Sequence, residues 1–206
     1  MPANNRELRR LRREIRRLKW FPSYQDFPEL GIKGRRNDLG RYGCLDFSLC
    51  AGKVVADYGC NLGQAAVNAA KAGAAMVIGM DSQKDTIAAA RKIKDLISLK
   101  NLEYHVVDFN EPVFESSIKG IFGGEVPHIS FFLSVYRTKE LRDRDGLLRF
   151  IADNTREMIF FEGHSDRRID TIEYYEGVFA KFGFNAEFLG YGQGDTRPLF
   201  VIRLKR

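Results

Sequence analysis

Residues 54–63 read Val54-Val55-Ala56-Asp57-Tyr58-Gly59-Cys60-Asn61-Leu62-Gly63. An apolar strand runs into an acid, Asp57, and then into two glycines, Gly59 and Gly63. An alanine-rich segment at 64–72 follows and reads as a helix. Strand, glycine turn and helix in immediate succession make a cradle for a nucleotide-like ligand. The turn lets backbone approach the ligand closely, and the helix start offers amides that have no partner inside the helix.

Working outward, the texture from residue 53 on alternates between strand and helix. Strands are expected at 54–57, 75–81, 102–107, 126–135 and 158–162, with helices at 63–72, 84–98, 137–154 and 170–182. A final strand pair is expected at 185–191 and 198–204, joined by the turn-rich residues 192–197. Helices between the early strands call for parallel pairing with right-handed crossovers. The short last connection calls for an antiparallel pair. The fold class is therefore α/β: a seven-stranded, mostly parallel, Rossmann-like sheet with an antiparallel last strand and helices on both faces. A basic N-terminal helix precedes it. Three regions follow: a basic amphipathic helix at 1–22, a connector that can cover a ligand at 23–50, and the main domain at 51–206.

At 206 residues the chain suits one such domain with its own core. No apolar run approaches the ~20 residues a membrane span needs, and no apolar segment follows the basic N-terminus as a secretory signal requires. Cys44, Cys50 and Cys60 form no metal-like spacing, so no metal site is expected. Their odd number fits a reducing cytoplasm. The net charge of +6 is local: residues 6–19 carry eight basic and two acidic groups, and the remainder is neutral. A partner of opposite charge is thus argued from this segment alone.

Open parallel sheets bind ligands beyond the carboxyl ends of their strands. Asp57, Asp81, Asp108 and Glu162 all fall there by spacing, and core strands do not require acids at their ends. The competing reading of Asp57 and Asp108 is that they cap helices or make turns. Asp81 lies 24 residues after Asp57, where a carboxylate can take both hydroxyls of a ribose. Dinucleotide folds place an acid about 20 residues on for the same purpose. The dinucleotide fingerprint G-x-G-x-x-G is missing, however, and so is a P-loop. A carboxylate at 57 would repel a diphosphate but suits a cationic ligand.

These residues resemble the class I S-adenosylmethionine-dependent methyltransferases. The resemblance is carried by 54–63, then Val77-Ile78-Gly79-Met80-Asp81, then Val106-Val107-Asp108-Phe109, and extends over about residues 50–206. It implies S-adenosylmethionine as cofactor and methyl transfer as activity. Asp57 and the backbone of Gly59 and Gly63 would hold the methionine part, and Asn61 its carboxylate. Asp81 would hold the ribose. Asp108 would take the adenine amino group, with Phe109 or Met80 against the ring. Cys60, Ser82 and Ser134 complete the implied cofactor set. A cofactor-binding module without turnover and an NAD-dependent oxidoreductase remain as alternatives.

On the acceptor side the fourth strand ends Phe131-Phe132-Leu133-Ser134-Val135-Tyr136-Arg137. It lacks the Asn/Asp-Pro-Pro-Tyr/Phe motif frequent in amino- and adenine-N methyltransferases, so neither of those acceptors is the expectation. Ser134, Tyr136 and Arg137 are candidate lining residues. The fifth strand ends Phe160-Phe161-Glu162-Gly163-His164. His164 could take a proton from an acceptor, with Glu162 orienting it. The catalytic candidates are accordingly His164, Glu162 and Tyr136, and the acceptor stays open between RNA and a small molecule or sugar. Arg35, Arg36 or Arg41 could clamp the cofactor carboxylate or an anionic substrate, although surface arginines are the commoner case.

Residues 5–20 read as one helix, with Leu8, Leu11, Ile15 and Leu18 on a narrow apolar seam and basic residues around it. Three readings compete. The seam can dock on the domain or on another helix, the cations can bind RNA phosphates, or the helix can lie on an anionic membrane with Trp20 and Phe21 immersed. Docking takes the first place among them.

Overall fold

The computed structural model describes residues 5–18, 25–34, 42–192 and 196–204. Strands β1 (Val54–Tyr58), β2 (Met76–Asp81), β3 (Leu102–Val106), β4 (Ile129–Leu133), β5 (Met158–Glu162), β6 (Asn185–Tyr191) and β7 (Pro198–Arg203) form one sheet in the order β3-β2-β1-β4-β5-β7-β6. Strands β1 to β5 pair in parallel, and β7 is inserted antiparallel between β5 and β6. The α/β architecture read from the sequence is the one found. Among the described residues the helices with assigned bounds are α1 (Asn5–Arg17), α2 (Gln64–Lys71), α3 (Lys84–Leu96), α4 (Phe114–Ile121), α5 (Arg144–Asp153) and α6 (Ile172–Phe182).

Successive side chains of a strand point to opposite faces, and the strands sort their residues accordingly. Val55, Phe131, Phe160 and Val201 pack with α1, α2 and α3 on one face. Ala56, Phe132, Phe161 and Phe200 pack with α4, α5 and α6 on the other. Both faces are thus covered, as a parallel sheet requires.

The expected boundaries differ from the observed ones where a local signal overrides the apolar pattern. Strand β4 starts only at Ile129, after Pro127, which has no amide to give a ladder. It ends at Leu133 because Ser134 turns to φ +60. Helix α5 starts at Arg144 rather than 137, since the Asp143 side chain accepts from the Gly146 amide at 2.8 Å and fixes the start there. The sequence reading assigns no element to residues 109–125, yet α4 forms within them. Ser116, Ser117 and Gly120 weaken its helical signal, and burial of Ile118 compensates.

The sequence reads 21–34 as an extended connector broken by prolines, but its described part, 25–34, reverses on itself. Pro28–Leu30 make one 3₁₀ turn, closed by Gly31 at φ 55, and Phe27 bridges Ile32. Phe27, Leu30 and Ile32 join the core beside Leu11 and Ile15 of α1. The sequence reading places Leu39 and Leu45 facing inward, and Leu45 does so at 4 % exposure. Leu39, with Arg35, Arg36 and Arg41, lies outside the described residues, as do Lys19, Trp20, Phe21 and Gly194.

Helix α1 is docked. Leu11 and Ile15 are 1 % and 3 % exposed, Glu14 meets Lys92 of α3 at 2.5 Å, and an Arg12 amine donates to the Leu30 carbonyl at 2.6 Å. Each buried aliphatic side chain is worth roughly 1.5–3 kcal/mol. Among the described residues no helix is long and apolar enough to cross a membrane.

One buried group leads to a stability prediction. Tyr58 is fully buried, and its hydroxyl has no hydrogen-bond partner among the described residues. Its ring stacks obliquely on Phe109 at 6.0 Å. An unsatisfied buried hydroxyl costs about 1–3 kcal/mol. Tyr58→Phe is therefore expected to stabilise the fold by about 1 kcal/mol, read as a higher urea midpoint at unchanged slope.

Candidate functional site

The strand order reverses at β1, which has β2 on one side and β4 on the other. A cleft of ≈ 240 Å³ opens there, at the carboxyl ends of the strands. Gly59 and Asn61 line it after β1, Asp81, Ser82, Gln83 and Thr86 after β2, Asp108, Phe109 and Asn110 after β3, and Leu133, Ser134 and Val135 after β4. Thr138, Glu140 and Leu141 complete its lining.

The turn after β1 is shaped by three positive φ angles: Gly59 (75), Asn61 (54) and Gly63 (83). Asn is the non-glycine residue that best tolerates this region, because its side chain bonds locally. Here the Asn61 side-chain oxygen accepts from the Leu62 amide at 2.7 Å. Gly59 has a second constraint: a Cβ on it would lie 2.4 Å from a Val135 methyl.

Asp81 is held in place before any ligand arrives. One carboxylate oxygen accepts from the Asn61 amide and the other from the Gln83 amide, both at 3.0 Å. A carboxylate has about four acceptor sites, so capacity remains toward the cleft. Burial raises the pKa of Asp81, while the amide hydrogen bonds act in the opposite direction. Asp108 accepts from both the backbone and the side-chain amide of Asn110, at 2.9 and 3.0 Å. Asn110 also donates to the Glu140 carbonyl at 2.9 Å and accepts from the Arg142 amide at 2.8 Å. It thereby staples the loop after β3 to the loop after β4.

Seven residues named from the sequence meet at this cleft: Gly59, Asn61, Asp81, Ser82, Asp108, Phe109 and Ser134. Three others lie beneath it. Asp57 is 3 % and Cys60 2 % exposed, and neither lines the cleft. Nearby carboxylates Asp57 and Asp81 add to burial in raising the Cys60 thiol pKa. Gly63 also stays off the lining. Its carbonyl accepts from the Tyr104 hydroxyl at 3.2 Å, and the Tyr104 ring is seated between Gly63 and Gly79. Met80 is buried in the core facing α4 to α6 and does not line the cleft.

Tyr136, Glu162 and His164 do not line the cleft either. The Tyr136 hydroxyl donates to Asp145, and burial followed by that contact raises its pKa. Glu162 is fully buried. Its carboxylate accepts from Ser134 Oγ and lies 3.8 Å from the Arg197 guanidinium, which also donates to Ser134 Oγ. Ser134, at φ +60 on the cleft wall, is thus the link between the cleft and this buried cluster. Such strain at a serine persists only where its surroundings hold it. Behind the cluster, Asp170 accepts from Arg137 and from Tyr175, each at 2.7 Å, and Tyr175 accepts from the His164 amide at 3.0 Å. The candidate lining residue Arg137 is therefore bound inward.

Sequence reasoning missed Gln83, Thr86, Asn110 and the 138–141 segment. It also missed Gln25, which is 4 % exposed. The Gln25 side chain donates to the Cys60 carbonyl at 3.2 Å and accepts from the Gln64 amide at 3.3 Å. The Gln64 side chain accepts from the Asp26 amide at 3.0 Å. This clasp fastens the N-terminal segment onto the glycine turn. A glutamine in a connector gives no periodic or motif signal.

His164 supports a pH prediction. Burial first, then the Arg197 charge, lowers its pKa to about 4. A neutral imidazole in the fold opposes the unfolded chain, which protonates near 6.5. The resulting stability is present above pH ~6.5 and is lost as pH falls toward ~4. His164→Gln should remove roughly 2–3 kcal/mol of the acid-side decline between those limits, measured by urea unfolding at several pH values.

No family model and no curated protein sequence matches the chain. Solved structures do share its fold. The N-terminal domain of EvdMO1, crystallised with SAH and D-fucose, superposes with a TM-score of 0.69 at 13% identity, over 98% of each chain. The bifunctional kinase-methyltransferase WbdD gives 0.68 at 18% identity, over 93% of this chain and 45% of that one. A protein from Streptococcus mutans, described as a candidate SAM-dependent methyltransferase, gives 0.61 at 17% identity, over 81% and 49%. The chain thus spans about half the length of the last two. Its fold is the Rossmann-like fold of S-adenosylmethionine-dependent methyltransferases.

Proposed function

We propose that this protein binds S-adenosylmethionine in the cleft and transfers its methyl group to an acceptor. The observation that carries the reading is the preset Asp81 carboxylate at the end of β2, with Asp108 and Phe109 beside it on the same cleft. Asp81 accepts from the ribose hydroxyls, Asp108 accepts from the adenine amino group, and Phe109 covers the ring. Asn61 and the backbone at Gly59 receive the methionine end. Asp57, Cys60 and Gly63 shape the turn from below. The cofactor supplies a methyl group already activated on a sulfonium, so placing the acceptor in line with it provides most of the acceleration.

The acceptor enters between Ser134 and the 138–141 segment. A sugar hydroxyl is one supported class, since the fold neighbour EvdMO1 was crystallised with D-fucose; RNA, whose ribose carries the same group, is the other. The acceptor's proton leaves to solvent, since His164 does not line the cleft and its imidazole is a weak base there, with a pKa lowered by burial to about 4. Glu162 acts through Ser134 as a positioning residue. The three free thiols support a cytoplasmic setting.

A second reading has its own observation. Glu162 and Tyr136 are engaged inside the fold, which suits a module that holds the cofactor without turnover. Calorimetry with S-adenosylhomocysteine and with NAD tests the site. Binding of the former alone is expected, and binding of NAD alone would replace the proposal with an oxidoreductase. Incubating a fractionated cell extract with methyl-labelled cofactor then separates enzyme from silent module: label in nucleic acid or small molecules supports turnover.

A further inference from the structure

Docking of α1 divides its seven basic residues in a way the sequence does not reveal. Arg12 is turned inward to the Leu30 carbonyl, and Lys19 lies outside the described residues. Arg6, Arg9, Arg10, Arg13, Arg16 and Arg17 are all exposed. At about 100° per residue these six fall on one face of about 120°, opposite the seam of Leu8, Leu11 and Ile15. The ridge is about 16 Å long. Glu14 is drawn to the flank by Lys92 at 2.5 Å and Arg10 at 3.1 Å, so it does not interrupt the ridge.

We propose that this arginine ridge binds the phosphate backbone of a nucleic acid, RNA or DNA, without reading its bases. Four observations carry the assignment. Like charges three and four residues apart repel, by a few tenths of a kcal/mol per pair, and the ridge contains six such pairs. A polyanion relieves that repulsion. All six cations are arginine, whose planar fork matches phosphate oxygens in pairs. The ridge has no aromatic residue on which a base could stack, so contact is with the backbone. An anionic membrane is disfavoured because the apolar side that would enter it is occupied: Leu11 and Ile15 are buried against the domain. The proposal does not depend on methyl transfer, and its test uses no cofactor.

Fluorescence anisotropy of the full chain with labelled 20-base-pair RNA and DNA duplexes, between 50 and 200 mM KCl, provides that test. Micromolar or tighter binding at 50 mM is expected, falling steeply with salt. Arg6→Gln/Arg9→Gln/Arg13→Gln/Arg16→Gln should make the log–log salt slope shallower by about 3–4 and weaken binding at least ~30-fold, at a thermal midpoint no lower than that of the wild type because the repulsion within the ridge is relieved. Arg9→Gln/Arg16→Gln should give about half that change in slope, and serves if the fourfold variant folds poorly. Equal slopes with both duplexes assign the site to backbone phosphate in general; a preference for RNA narrows it to A-form geometry. No binding by the wild type, an unchanged slope in the variants, or capture only by phosphatidylserine vesicles would overturn the proposal.

Discussion

Asp81→Ala is expected to weaken S-adenosylhomocysteine binding by at least about 100-fold. Each charge-assisted hydrogen bond to a ribose hydroxyl is worth about 1.5–3 kcal/mol. Two lost together correspond to a hundredfold or more. The same carboxylate receives the Asn61 and Gln83 amides, so its removal also loosens the turn that faces the ligand. Asp81→Asn keeps one oxygen and leaves one of those amides without its acceptor. Its loss should be intermediate, about 10–30-fold. Titration calorimetry of both variants, with circular dichroism to confirm the fold, reads this directly. An affinity within threefold of wild type for the alanine variant would falsify the assignment of the ribose to this carboxylate.

The second large effect concerns Gly63. A Cβ there would lie 1.9 Å from the Tyr104 hydroxyl oxygen and 2.4 Å from its ring. Tyr104 has little room to yield, because its ring also packs closely on the Gly79 backbone, where a Cβ would meet it at 2.6 Å. The residue also sits at φ +83, which side chains adopt at a cost of about 1–3 kcal/mol. With displacement of a buried aromatic added, Gly63→Ala should destabilise the fold by about 3–5 kcal/mol. Tyr104→Ala alone should also destabilise, by emptying the space between the two glycines. The double variant should then be more stable than the sum of the singles predicts, by at least about 1 kcal/mol. A strictly additive pair would mean that the tyrosine does not impose the glycine.

Asp81, Asp108 and Gly59 could be located from the sequence because strand periodicity marks where each strand ends, and the parallel topology brings those ends together. Gly63 was legible as a special position, but its reason was not. The motif points to a ligand, whereas its neighbour is Tyr104, 41 residues on. Glu162, Tyr136 and His164 follow the same strand-end logic, yet their side chains are engaged or enclosed behind Ser134. Periodicity places a residue along the chain and is silent about which partner turns its side chain. Asn110 and Gln25 were invisible for a related reason. Each works by joining segments about 30 or more residues apart, and a single polar residue in a loop leaves no pattern.

The Gln25 clasp bears on where this protein can be cut. The motif-bearing region begins near residue 51, which invites excision there as a minimal unit. Such a fragment would carry the glycine turn without its strut: the Cys60 carbonyl and the Gln64 amide would lose the side chain that ties them together. It would also uncover the surface that Phe27 and Leu30 occupy. A fragment starting just before Gln25 keeps both. The working unit of the cradle thus begins some 25 residues ahead of its recognisable motif, in a stretch that carries no signature of its own.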